Sequence, residues 1–109
     1  MNIKIYICSI CSKSADETET KYIFLERIKL ACIFRNLNIP TMMSHLKNPK
    51  MSCQFGDVFN YKIPFMVIFG KDELKNNKLK IKNIKLKKEK VFETDIAIKF
   101  LTDPLSDWT

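Results

Sequence analysis

The sequence predicts an α/β domain on a mixed five-stranded sheet, with elements in the order β-α-β-α-β-β-β-α. Three observations carry this. Short β-branched apolar runs alternate with segments of helical spacing in the first two thirds of the chain, which is the signature of a parallel sheet core. Two further strand-like segments follow one another near residues 78–93 and add antiparallel edge strands. At 109 residues, 46% of them hydrophobic, the chain is sized for one domain with one real core.

Ile3 to Ile10 is β-branched and strongly apolar, a candidate buried strand. Ser12 to Thr20 is polar and runs into a helix start. Phe24, Ile28, Ala31 and Phe34 fall at i, i+4, i+7 and i+10 and predict one buried helical face. Glu26, Arg27, Lys29 and Arg35 are then left mostly to solvent. Pro40 disfavours helix at Ile39, so this helix ends near Leu37-Asn38. Thr41 to Ser44 is a short second strand.

Asn48-Pro49 reads as a helix start, with Asn as the cap and Pro at the first helical position. The second helix runs from Pro49 to about Tyr61, and Gly56 inside it makes it dependent on packing. Ile63 to Phe69 is the most hydrophobic run and predicts a central strand. Lys71 to Asn77 reads as a turn. Leu79 and Ile81 alternate with Lys78, Lys80 and Lys82, so a half-buried strand with a lysine face follows. The phase slips at Asn83-Ile84, as at a bulge or the approach to a turn. Lys85 to Glu89 makes that turn and Lys90 to Glu93 the last strand. Thr94 or Asp95 caps a final helix with Ile96, Ile98 and Leu101, and Pro104 to Thr109 is a tail.

Charge and composition limit the function. The formal net charge is +7, and residues 71–90 hold nine lysines against three acids. A soluble body with one basic strip fits nucleic-acid phosphates or an anionic surface. Lysine-rich coding alone also makes basic surfaces. Two glycines exclude a GxGxxG loop or a P-loop. No run approaches the ~20 apolar residues of a membrane span, and the N-terminus does not read as a signal or transit peptide. Cys8, Cys11, Cys32 and Cys53 form no disulfide framework, which fits a reducing, cytoplasmic setting.

Chemistry-bearing residues are sparse. Cys8-Ser9-Ile10-Cys11 is a CxxC, but zinc needs a second ligand pair and none follows. A redox role would require a low-pKa thiol at Cys8 or Cys11. Cys32 and Cys53 read as small buried hydrophobes. His45 is the only histidine, with no orienting partner at recognisable spacing. No catalytic or metal-binding set emerges. Phe55, Phe59, Tyr61, Phe65 and Phe69 could stack on bases, although most read as core.

Residues 48–84 are more specific. Asn48-Pro49-Lys50 precedes a helix carrying Gln54, then comes Ile63-Pro64-Phe65-Met66-Val67-Ile68-Phe69-Gly70, then Lys71-Asp72-Glu73-Leu74 and the strand Lys80-Ile81-Lys82. Upstream stands Leu25-Glu26-Arg27-Ile28-Lys29-Leu30-Ala31. Together these resemble the C-terminal anticodon-binding domain of class IIa aminoacyl-tRNA synthetases, the histidyl type most closely. The resemblance spans Ile3 to Leu101 and implies a mixed five-stranded sheet flanked by three helices. It places the domain at residues 1–102 and the C-terminal tail at 103–109.

The resemblance implies a domain that grips a tRNA anticodon, here that of tRNA-His. The parent enzyme would be a cytoplasmic histidine-tRNA ligase and homodimer. No FRxE-type or glycine-rich class II motif occurs, so the catalytic domain is read as absent from this chain. The chain alone is then non-catalytic and needs no cofactor, while ATP and Mg belong to the catalytic domain. Matched positions imply RNA contacts at Asn48, Lys50, Gln54, Glu73 and Lys82, with Lys78 and Lys80 on phosphates. Lys82 stands where the family commonly has Arg, and Lys lacks the bidentate fork. Lys62 stands where glycine is frequent. A rival of another class is a non-catalytic adaptor derived from such a domain, of the polymerase-accessory or kinase-regulator type.

Overall fold

The computed structural model describes residues 2–103, so the tail read at 104–109 lies outside the described residues. The elements are β1 (Ile5–Ile10), α1 (Glu17–Asn36), β2 (Thr41–Met43), α2 (Met51–Asn60), β3 (Phe65–Gly70), α3 (Lys71–Lys75), β4 (Lys78–Asn83), β5 (Lys88–Glu93) and α4 (Thr94–Thr102). The strands lie in the order β2-β1-β3-β4-β5. β1 pairs parallel with both β2 and β3, whereas β4 and β5 add on antiparallel. The α/β class, the mixed five-stranded sheet and the strand order along the chain are those expected from the sequence.

Side-chain alternation splits the core into two layers. Ile5, Ile7, Val67, Phe69, Leu79 and Ile81 face α1 and α4. Tyr6, Cys8, Met66 and Ile68 face α2, where Val58 and Ile63 close the layer. The two parallel crossovers therefore leave β1 and β2 over opposite faces of the sheet.

Six local readings change. The stretch Lys71–Lys75 is a short helix, not a turn, because the Glu73 carboxylate accepts the Gly70 N–H at 2.9 Å and starts it. Helix α2 begins at Met51 with Lys50 as its N-cap. Lys50 is extended (φ −68°, ψ 145°), so Asn48 and Pro49 lie outside the helix and Asn48 caps nothing. The α1 stripe is rotated by about one residue: Ile23, Arg27, Leu30, Ala31 and Phe34 are buried. Arg27, expected in solvent, is in the interior, while Cys32 and Cys53 are exposed. Pairing runs regularly to Asn83 opposite Lys88, so the slip at Asn83-Ile84 is the approach to a turn, and that turn is 84–87 rather than 85–89, with the last strand starting at Lys88. The Asn83 Oδ1 accepts the Leu86 N–H at 3.0 Å and supports that turn. Finally, α4 starts after an extended Glu93 with no side-chain cap, rather than at a Thr94 or Asp95 cap.

Candidate functional site

In an open α/β sheet the crevice outside the carboxyl ends of the strands forms where successive crossovers diverge to opposite faces. Here that place is the end of β1. Ile10 is in register with Gly70 at the end of β3, with α1 and α2 leaving on opposite sides. The two strand ends approach closely. A Cβ on Gly70 would stand 3.0 Å from the Ile10 carbonyl oxygen, which explains a glycine with ordinary extended φ. Two concavities open beside them. One of about 380 Å³ lies between Ser9–Cys11 and the Asn48–Met51 segment. The other, about 540 Å³, lies between Ile10, Asp16 and Glu19 and the Gly70–Glu73 segment.

The expected RNA contacts divide into three groups. Asn48 and Lys50 are exposed on one side of the β1 end, and Glu73 is half-buried on the other. One Glu73 oxygen is committed to the Gly70 N–H. Lys78 stands at the same end of the sheet, opposite Glu93. Lys80 and Lys82 share the sheet face of α2 lower down. Lys82 pairs with Met66, four residues before Gly70, hence roughly 13 Å below the rim. Its ammonium lies 5.1 Å from the centre of the Phe55 ring, a cation–π contact that leaves its N–H donors free.

Gln54 belongs to neither group, because it is fully buried. Strand β2 stops opposite Ile7, so the next outward-facing backbone groups of β1, those of Ser9, have no strand neighbour. The Gln54 amide takes their place. Its oxygen accepts the Ser9 N–H at 3.1 Å, and its nitrogen donates to the Ser9 carbonyl at 3.0 Å and to the Pro49 carbonyl at 3.4 Å. The amide extends the ladder by one step and fixes α2 on β1. A base cannot reach it.

Arg27 is the residue that the apolar pattern of α1 misses. Its guanidinium is fully buried, donates to Ser9 Oγ at 3.1 Å and to the Leu46 carbonyl, and lies 5.1 Å from the Phe24 ring centre. Its Nε has no partner among the described residues. Burial lowers its pKa, and the Tyr6, Cys8 and Cys11 groups work against that. Arg27 ties the 44–50 segment, exposed from His45 to Asn48, to β1 and so sets where Asn48 and Lys50 stand. The signal available in the sequence was its place in the i, i+4, i+8 series Ile23, Arg27, Ala31.

The CxxC lacks the setting of an activated thiol pair. Cys8 is buried, its thiol meets the Met51 sulfur at 3.3 Å, and desolvation pushes its pKa up to about 12. Burial also raises Cys11. These are the opposite of an activated thiol. Among the described residues no group of three or more His, Cys, Asp and Glu is placed to hold a metal ion. His45 is exposed in the loop before α2. No described helix is long and apolar enough to cross a membrane.

The fold and the rim define a class of protein. Residues 4–103 match the anticodon binding domain family, and the chain belongs to it. A relative of Caenorhabditis elegans named Histidine--tRNA ligase is 30% identical over 86 residues, which is 79% of this chain and 16% of that protein. The apo histidyl-tRNA synthetase of S. aureus superposes with a TM-score of 0.75 at 20% identity, over 92% of this chain and 26% of that one. The RNA binding domain of threonyl-tRNA synthetase from Cryptosporidium parvum gives 0.73 at 8% identity, over 92% and 23%. The chain thus spans between 16% and 26% of the length of the proteins it matches.

Proposed function

We propose that this chain is the anticodon-binding domain of a histidyl-tRNA synthetase and recognises the anticodon of tRNA-His. A separate catalytic domain, using ATP and Mg, would then attach histidine. The parent enzyme would be a cytoplasmic homodimer. The observation that carries the reading is the placement of Asn48, Lys50 and Glu73 on both sides of the β1 end, in a chain of this family.

The chemistry is recognition without covalent change. Unpaired anticodon bases present their hydrogen-bonding edges once splayed out of the loop. The Asn48 amide both donates and accepts, so it suits a base edge. The second Glu73 oxygen accepts from a base amino or imino group. Lys50, Lys78, Lys80 and Lys82 hold the backbone, with Lys80 and Lys82 continuing the contact down the α2 face. Gln54 and Arg27 act from inside, by holding α2 and the 44–50 segment against β1.

Titration of the chain with an anticodon stem-loop of tRNA-His, and with one carrying a changed anticodon, tests this. A preference of about tenfold or more is expected, the equivalent of one good hydrogen-bonded contact. Equal weak binding of both would refute specific reading.

A further inference from the structure

We infer a second RNA contact at the opposite end of the sheet, where the β4–β5 turn supplies a sequence-independent seat for the phosphate backbone. The inference rests on the RNA-binding reading above. The sheet's two ends differ in charge. Helices α1, α3 and α4 all start at the carboxyl rim, and acids favour helix N-termini. Asp16, Glu17, Glu19, Asp72, Glu73 and Asp95 accordingly gather there. Glu19 also pairs with Lys71 at 3.0 Å. Lysines on the rim are therefore partly offset.

The far end is different. Register places Asn83 opposite Phe65, and the Ile84 N–H donates to the Pro64 carbonyl at 2.9 Å, so the 84–87 turn sits against the start of β3. Beside Pro64, a concavity of about 580 Å³ is lined by Lys4, Tyr61 and Lys62. Lys62, Lys85, Lys87 and Lys88 are all exposed, and Tyr61 is 60% exposed. Lys88 faces Asn83 across the strands, whereas Lys78 and Lys82 face Glu93 and Glu89. The acids at this end are Asp57, whose carboxylate accepts from the Tyr6 hydroxyl, Glu89 and Asp103. The turn lysines thus concentrate the strip's excess charge, beside an open aromatic.

The two ends are connected. Lys78, Lys80 and Lys82 descend β4 on one face at steps of two residues, about 6.6 Å, comparable to one nucleotide of backbone. RNA bound at the rim would run along β4 toward the turn. The partner at the turn is the charged backbone, which carries no sequence information.

The test uses the 109-residue chain, the tRNA-His anticodon stem-loop and salt from 50 to 200 mM. Neutralising the turn (Lys85→Gln, Lys87→Asn and Lys88→Gln together) should lower the magnitude of the log K against log salt slope by about 2, since each lost contact removes about 0.7–0.9. Affinity should fall about tenfold, equally for a stem-loop with a changed anticodon. Lys62→Gly, which removes one charge where the backbone favours glycine, should lower the slope by about 0.7 without unfolding the chain. An unchanged slope in both, with Lys50→Ala still weakening binding, would overturn this seat and leave the rim intact. No binding of RNA by the wild-type chain would overturn both. A turn variant that loses phosphatidylserine vesicles but keeps its RNA slope would identify a membrane surface and overturn the RNA seat.

Discussion

Lys62 follows the C-cap of α2 at φ 52°, in the left-handed region where a side chain is strained. Asn38 and Asn77 hold the equivalent places after α1 and α3, and Asn tolerates that geometry better. Lys62→Gly should raise the unfolding free energy by about 1 kcal/mol in a urea titration. Cys8 gives a pH-dependent counterpart. Its thiol is held up to about 12 against an ordinary 9.0, and burial also pushes Tyr6 well above its usual 10.0. Both shifts are upward, so the folded state keeps protons that the unfolded chain releases. That stabilisation is complete below about pH 9 and is lost as pH rises toward 12. Urea midpoints measured from pH 7 to 10.5 should therefore be level and then fall, less steeply in Cys8→Ala.

At the scale of elements, α1 is the informative case. The expected stripe of Phe24, Ile28, Ala31 and Phe34 had the right period and end but the wrong rotation, because a charged residue occupies the buried track. A pattern of apolar residues cannot reveal a buried arginine whose partners, Ser9 and the Leu46 carbonyl, lie on other segments. Gln54 was visible as a motif residue, but its burial depended on β2 ending opposite Ile7. The α3 helix was hidden for a similar reason: five residues carry too little periodicity, and its start is a local Glu73-to-Gly70 bond. Arg27→Met keeps the volume while removing a buried charge with incomplete partners, a change that is often neutral for stability. Unfolding free energy should stay within about 1 kcal/mol of wild type. Amide exchange across residues 44–50 should speed up, and RNA affinity should fall several-fold. Stability and binding would then part company, as a holding role for the loop requires.

For the whole molecule, strand order along the chain, sheet type and family were all legible, since alternating strand and helix periods and the 48–84 motifs are local in sequence. The distribution of charge was legible only as a sum. Its separation into an acid-balanced rim and a lysine-rich turn depends on strand register and on where each helix starts. On the proposed function, the rim would determine which RNA is chosen and the lysines how tightly it is held. The most direct measurement compares wild type with Asn48→Ala/Glu73→Gln, each titrated with the tRNA-His anticodon stem-loop and with its changed-anticodon counterpart. The expected result is a preference of about tenfold or more in the wild type that vanishes in the double variant, leaving salt-sensitive residual binding. Equal affinity of the wild type for both RNAs, or a preference that survives the double variant, would contradict the account.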